Sequence, residues 1–155
     1  MKRKVCILIA VGLALQLGMM TLVRHGQAQS RGKVHIWVRA VAASNAGKHT
    51  DPRLQDIRRK LDTLFRYTSY SVISEVKRTI IFGKGVRMSL RTGRKLTVTP
   101  RAFEKGMIRM DMKIVEGNRV TFKTNLRLAN GGTLLIGGPR QGKEVIIFAI
   151  TARVQ

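Results

Sequence analysis

Residues 107–128, MIRMDMKIVEGNRVTFKTNLRL, decide the fold class. Ile108, Met110, Met112 and Ile114 alternate with Arg109, Asp111, Lys113 and Val115. After Glu116, Gly117 and Asn118 the period resumes, with Val120, Phe122, Leu126 and Leu128 set against Arg119, Lys123 and Arg127. Two runs of period two broken by a glycine-containing turn form an antiparallel hairpin with one apolar and one charged face.

Outward from this hairpin the alternation predicts strands over 70–81, 86–90 and 95–103 on one side and over 133–136 and 144–154 on the other. Short glycine-bearing segments separate them. Gly131 and Gly132, then Gly137 and Gly138, are expected to shape the last two turns, because glycine takes positive φ without a steric penalty. Alternation sorts the charges too: Arg87, Arg91, Lys95, Arg101, Arg109, Lys113, Arg119, Lys123 and Arg127 are expected on the outer face, with Asp111 the one acidic interruption on those strands. A soluble surface ordinarily mixes signs. The plain alternative is a solvated face that discourages edge-to-edge pairing.

The N-terminal half of this domain reads differently. Val34, Ile36, Val38 and Ala40 alternate with His35, Trp37, Arg39 and Val41, which predicts a first strand over 33–43. Thr50 or Asp51 ahead of Pro52 is helix-start chemistry, and Leu54, Ile57, Leu61, Leu64 and Phe65 recur at helical spacing up to about Arg66. The expected fold class is therefore α+β: one N-terminal strand, one amphipathic helix, then a mostly antiparallel β-meander packed on the helix.

Ahead of this single domain, 29–155, Lys2, Arg3 and Lys4 precede a run over 5–23 with no charged residue, and Gly26, Gln27 and Ala28 follow. This is the layout of a signal peptide over 1–28 cleaved after Ala28; an uncleaved anchor is the other reading. Both place the domain in the periplasm or cell envelope. Cys6, the one cysteine, lies in that segment, so the domain holds neither a disulfide nor a cysteine-based zinc site.

The chain carries a net +22, and setting aside Lys2, Arg3, Lys4 and Arg24 leaves 26 basic against 8 acidic residues, +18. Such a field favours polyanions. Aromatic residues are 5% of the chain, too few for the base-stacking platforms of single-strand binders, and specific nucleic-acid recognition is not expected. No catalytic, cofactor or metal-binding set is read. Residues 137–143 match the spacing of a phosphate loop, but Glu144 replaces the magnesium-binding hydroxyl and a strand follows where a helix is required. His35, His49 and Asp51 lack the further ligand that would complete a site.

Leu96, Val98 and Pro100, then 130–138 (NGGTLLIGG), then 145–153 (VIIFAITAR), resemble in order the terminal strands of the bacterial secretin domain. That family forms ring-shaped outer-membrane channels; Pro139 and Ala152 stand where it usually has Leu and Pro. The whole chain resembles small exported bacterial proteins to which no activity attaches. Two function classes follow. One is a secretin-like envelope component that pairs strand edges with a protein partner or with itself. The other is a monomeric periplasmic module that binds anionic lipid, glycan or acidic protein through Arg87, Arg91, Lys95, Arg109, Lys113, Arg119, Lys123 and Arg127. Neither is an enzyme or needs a cofactor, and membrane contact is expected only through the N-terminal segment, if uncleaved.

Overall fold

The computed structural model describes residues 32–90 and 93–155. The export segment with Cys6, and Arg91, lie outside these residues.

Nine strands dominate the described residues: β1 (Lys33–Ser44), β2 (His49–Thr50), β3 (Ser69–Ile81), β4 (Val86–Ser89), β5 (Arg94–Glu104), β6 (Met107–Glu116), β7 (Arg119–Ala129), β8 (Thr133–Gln141) and β9 (Glu144–Val154). They form a five-stranded sheet in the order β2-β3-β1-β9-β8 and a four-stranded sheet in the order β4-β5-β6-β7. Every pairing is antiparallel except the two-residue contact of β2 with β3.

The expected α+β fold is therefore corrected to a mostly-β, two-sheet architecture: strands hold 68% of the described residues and helix 10%. The error lay in what was expected to cover the meander. The eight residues of α1 (Arg58–Phe65) extend only about 12 Å, whereas an eleven-residue strand runs about 36 Å. A helix that short cannot bury a four-stranded apolar face. The other sheet does so instead. Val34, Ile36, Val38, Ala40, Ile146, Phe148, Ile150 and Ala152 of β1 and β9 join Val86, Met88, Leu96, Val98, Ile108, Met110, Met112 and Ile114 of β4, β5 and β6 in one buried cluster.

β1 and β9 are apolar on both faces over 40–43 and 145–150. Val41, Ala43, Ile147 and Ala149 point away from the other sheet, into a second cluster with Tyr70 of β3 and with Leu54, Ile57 and Leu61. The helical segment thus packs on the outer face of the five-stranded sheet. It is also broken. Pro52–Leu54 form a 3₁₀ turn capped by Asp51, whose carboxylate accepts from Arg53 N at 3.0 Å, and α1 begins only at Arg58. Arg53 O, which an uninterrupted helix would pair with Ile57 N, accepts instead from the Arg39 guanidinium at 2.8 Å, while Ile57 N turns to Leu54 O. Leu64, expected on the buried stripe, is exposed.

Gly131 has φ +77° in the short turn from β7 to β8, where its N–H donates to Ala152 O; Gly132 follows it with its N–H on Ala129 O. Gly137 and Gly138, expected in a turn, lie inside β8, which runs on to Gln141 past a break in its register between Gly137 and Arg140. At Gly138 glycine answers to space and not to φ. A Cβ there would lie 2.6 Å from a Phe148 ring carbon and 2.9 Å from Ile146 O. Gly138→Ala is expected to destabilise the protein by about 1–3 kcal/mol through overpacking. Gly137→Ala, whose Cβ would meet Phe65 at an ordinary 3.6 Å, is expected to change stability far less. Urea midpoints of the two variants test this.

Candidate functional site: a one-signed sheet face

On β6 the buried residues Ile108, Met110, Met112 and Ile114 leave Arg109, Asp111, Lys113 and Val115 on the opposite, outer face of the four-stranded sheet. Register then decides which charges meet. Lys113 is directly opposite Lys123 of β7, Arg109 is opposite Arg127, and Thr97 of β5 places Arg87 of β4 in the same transverse row as Lys113 and Lys123. Lys95 stands one step along β5, between Ser89 and Val115. All six of these basic side chains are exposed.

Two ion pairs temper this face: Arg101 Nε to Asp111 Oδ2 at 2.6 Å, and Arg109 Nη2 to Glu104 Oε1 at 3.3 Å. No acidic group among the described residues pairs with Arg87, Lys95, Lys113, Lys123 or Arg127. Opposite neighbours on one sheet face lie about 5 Å apart, where like charges oppose folding. The Lys113–Lys123 pair therefore costs stability with no carboxylate to offset it.

Arg119 does not belong to this face. The register of β6 with β7 shifts between Ile114 and Val115: Ile114 pairs with Phe122 but Val115 with Val120, so the extra residue, Thr121, reverses the alternation. Arg119 consequently pairs with Glu116 on the side of the inner residues, and Val120, expected inward, is 50% exposed. Arg101 is the extra residue of a second bulge, between Pro100 and Ala102, and lies beside Asp111. A lone sequence cannot mark either bulge, because each is defined by what the neighbouring strand pairs with. Of the eight candidate contact residues Arg119 thus leaves the face by this reversal, and Arg91 lies outside the described residues.

A second charged assembly escaped the sequence reading. Arg39, which alternation sets on the same face as His35, Trp37 and Val41, is fully buried on β1 beneath the 3₁₀ turn. Its guanidinium grips Asp56 through two hydrogen bonds of 2.6 and 2.8 Å, donates to Arg53 O, and lies 3.7 Å from the centre of the Trp37 ring. Lys77 Nζ approaches the same ring at 4.0 Å, and Trp37 Nε1 donates to Glu75 at 3.3 Å. The Nε of Arg39 is buried without a partner among the described residues. Asp51 is similarly committed: the Arg53 side chain and N–H, with Val72 N, hold its carboxyl well below the usual carboxylate range. These acids fasten the helical segment to the sheet. Among the described residues no group of three His, Cys, Asp or Glu side chains is placed to hold a metal ion, and no helix is long and apolar enough to cross a membrane.

No family model, curated protein or solved structure matches the chain.

The hydrogen bonds from Arg39 depress the Asp56 carboxyl against the opposing effect of burial. A carboxyl with a lowered folded pKa stabilises fully above its unfolded value, near 3.9, and loses that contribution as pH falls through the folded one. Asp56→Asn is expected to cost about 1–3 kcal/mol at neutral pH, the carboxylate being half exposed and its partner buried. In strong acid the variant and the parent should converge. Denaturant unfolding across this pH range checks both statements.

Proposed function

We propose that the chain is a non-enzymatic binding module of the cell envelope that holds an anionic surface through the outer face of its four-stranded sheet. The observation that carries this reading is the direct opposition of Lys113 to Lys123 and of Arg109 to Arg127. Like charges directly opposite on a sheet face oppose folding. A polyanion turns each such repulsion into attraction. The face is formed by strands of ten and eleven residues, and its cations Arg87, Lys95, Lys113 and Lys123 spread beyond the cleft of about 420 Å³ that Arg101, Arg109, Asp111 and Arg127 line, which suits an extended surface of anionic headgroups or glycan better than a small ligand. The tripartite segment over 1–28 supports an envelope location.

Reversing Arg109, Lys113 and Lys123 to Glu is expected to abolish sedimentation of the protein with phosphatidylglycerol-containing vesicles while leaving its circular dichroism unchanged. Retention by the parent should fall steeply with salt as the Debye length shrinks from about 10 Å at 0.1 M to about 3 Å at 1 M. Undiminished retention by the triple variant would remove the basic face from the function.

A second reading, assembly in the manner of the secretin likeness, is favoured by the two sheet edges at β7 and β8. These strands, of eleven and nine residues, each have one neighbour in their sheet. Free edges of this length are templates for another strand. Light scattering after size exclusion separates the readings: a discrete oligomer that persists in high salt supports edge pairing, and a monomer at every salt concentration supports the binding module.

A further inference from the structure

β7 and β8 are edge strands of different sheets on the same flank of the molecule, joined through Asn130, Gly131 and Gly132. Beyond that junction lies a cleft of about 360 Å³ lined by Met112, Ile114, Phe122, Pro139, Phe148 and the backbone of Gly138. Its cause is local. Phe122 is paired with inward-facing Ile114, but β8 brings Gly137, Gly138 and Pro139 to this flank, so little side chain arrives to cover the ring. Phe122 remains 39% exposed although its register partner is buried.

The mouth is charged. Arg94 lines the cleft, and the registers set Arg94, Glu116 and Arg119 side by side across β5, β6 and β7. Arg94 Nε is 3.2 Å from Glu116 Oε2, and with Arg119 opposite Glu116 in the register the three groups carry a net positive charge. The walls are hydrocarbon and aromatic, apart from Thr121, which also lines the cleft and whose hydroxyl is occupied by Ile114 O at 3.3 Å.

We propose that this cleft binds the hydrocarbon chain of a single-chain anionic amphiphile of the fatty-acid class, with its carboxylate at Arg94 and Arg119. The volume lies at the lower end of the range for small-molecule sites. It corresponds to on the order of ten methylene groups if each takes about the 30 Å³ of a liquid water molecule. This site goes beyond the polyanion reading and is separate from it, because the rim arginines stand on the inner side of the bulge and Lys113 and Lys123 on the outer.

Calorimetric titration of the purified protein in detergent-free buffer with dodecanoate, below its micelle concentration, tests the proposal. Saturable binding with one molecule per chain is expected, and dodecyltrimethylammonium should bind about tenfold more weakly or worse, a difference of the size one favourable charge contact supplies. Thr121→Trp, which fills the mouth, and Phe122→Asp, which places a like charge within it, should each remove binding. Two variants guard against the failure of one to fold, as read by circular dichroism. Arg94→Gln with Arg119→Gln should erase the preference for dodecanoate over the cation. Lys113→Glu with Lys123→Glu should keep dodecanoate binding while losing vesicle retention, so that the two sites fail independently. Absence of saturable binding, or binding that survives both Thr121→Trp and Phe122→Asp in folded protein, overturns the proposal.

Discussion

The ladder between β1 and β9 joins the first and last strands of the domain, Val34 opposite Val154 through Ala43 opposite Val145, and places both at the centre of the five-stranded sheet. Where these strands are covered on each side, over 38–43 and 146–150, their residues are apolar at every position but Arg39, as in sheets buried on both faces, while His35, Thr151 and Arg153 lie at the less covered end. The inner face of this pair makes the sandwich core against β4, β5 and β6, and its outer face receives the helical segment. Neither sheet holds a complete core alone. A pairing across so much of the sequence also means that the loop-closure entropy must be met before the central contacts form, which favours slow folding.

Arg39 is the exception within that covered stretch, and its consequences run outward. Burying a guanidinium is costly unless it is paired and hydrogen-bonded. Asp56, Arg53 O and the Trp37 ring meet most of that demand, and the contacts with Asp56 and Arg53 O depend on the 3₁₀ turn folding back over β1. The break between Pro52–Leu54 and α1 follows from the same bond, since the carbonyl that would continue the helix is already taken. One buried charge thus fixes where the helix starts and how the segment is held.

Bulges, and not strands, divide the surface into its two candidate sites. Without the extra residue at Thr121, Arg119 would join Lys123 and Arg127 on the basic face instead of standing opposite Glu116. The register break over Gly137 to Arg140 lets β8 present backbone and Pro139 beside Phe122. A regular sandwich would have closed that flank with interleaved side chains.

Alternation over 107–128, and the same period in the flanking segments, was enough to locate the strands to within a few residues, apart from the two-residue β2 and an early end given to β8. The inward residues of β4, β5 and β6 followed from it, because a half-buried strand has only two faces. It also placed Lys113, Lys123, Arg109 and Arg127 on one side of the chain. Which sheet would cover the apolar face, that Arg39 would be buried, and that Arg119 would change sides were decided by partners distant in the chain. Alternation records the face of a residue relative to its own neighbours. Register and layer order depend on which distant strand comes to lie beside it, and only the tertiary fold contains that relation.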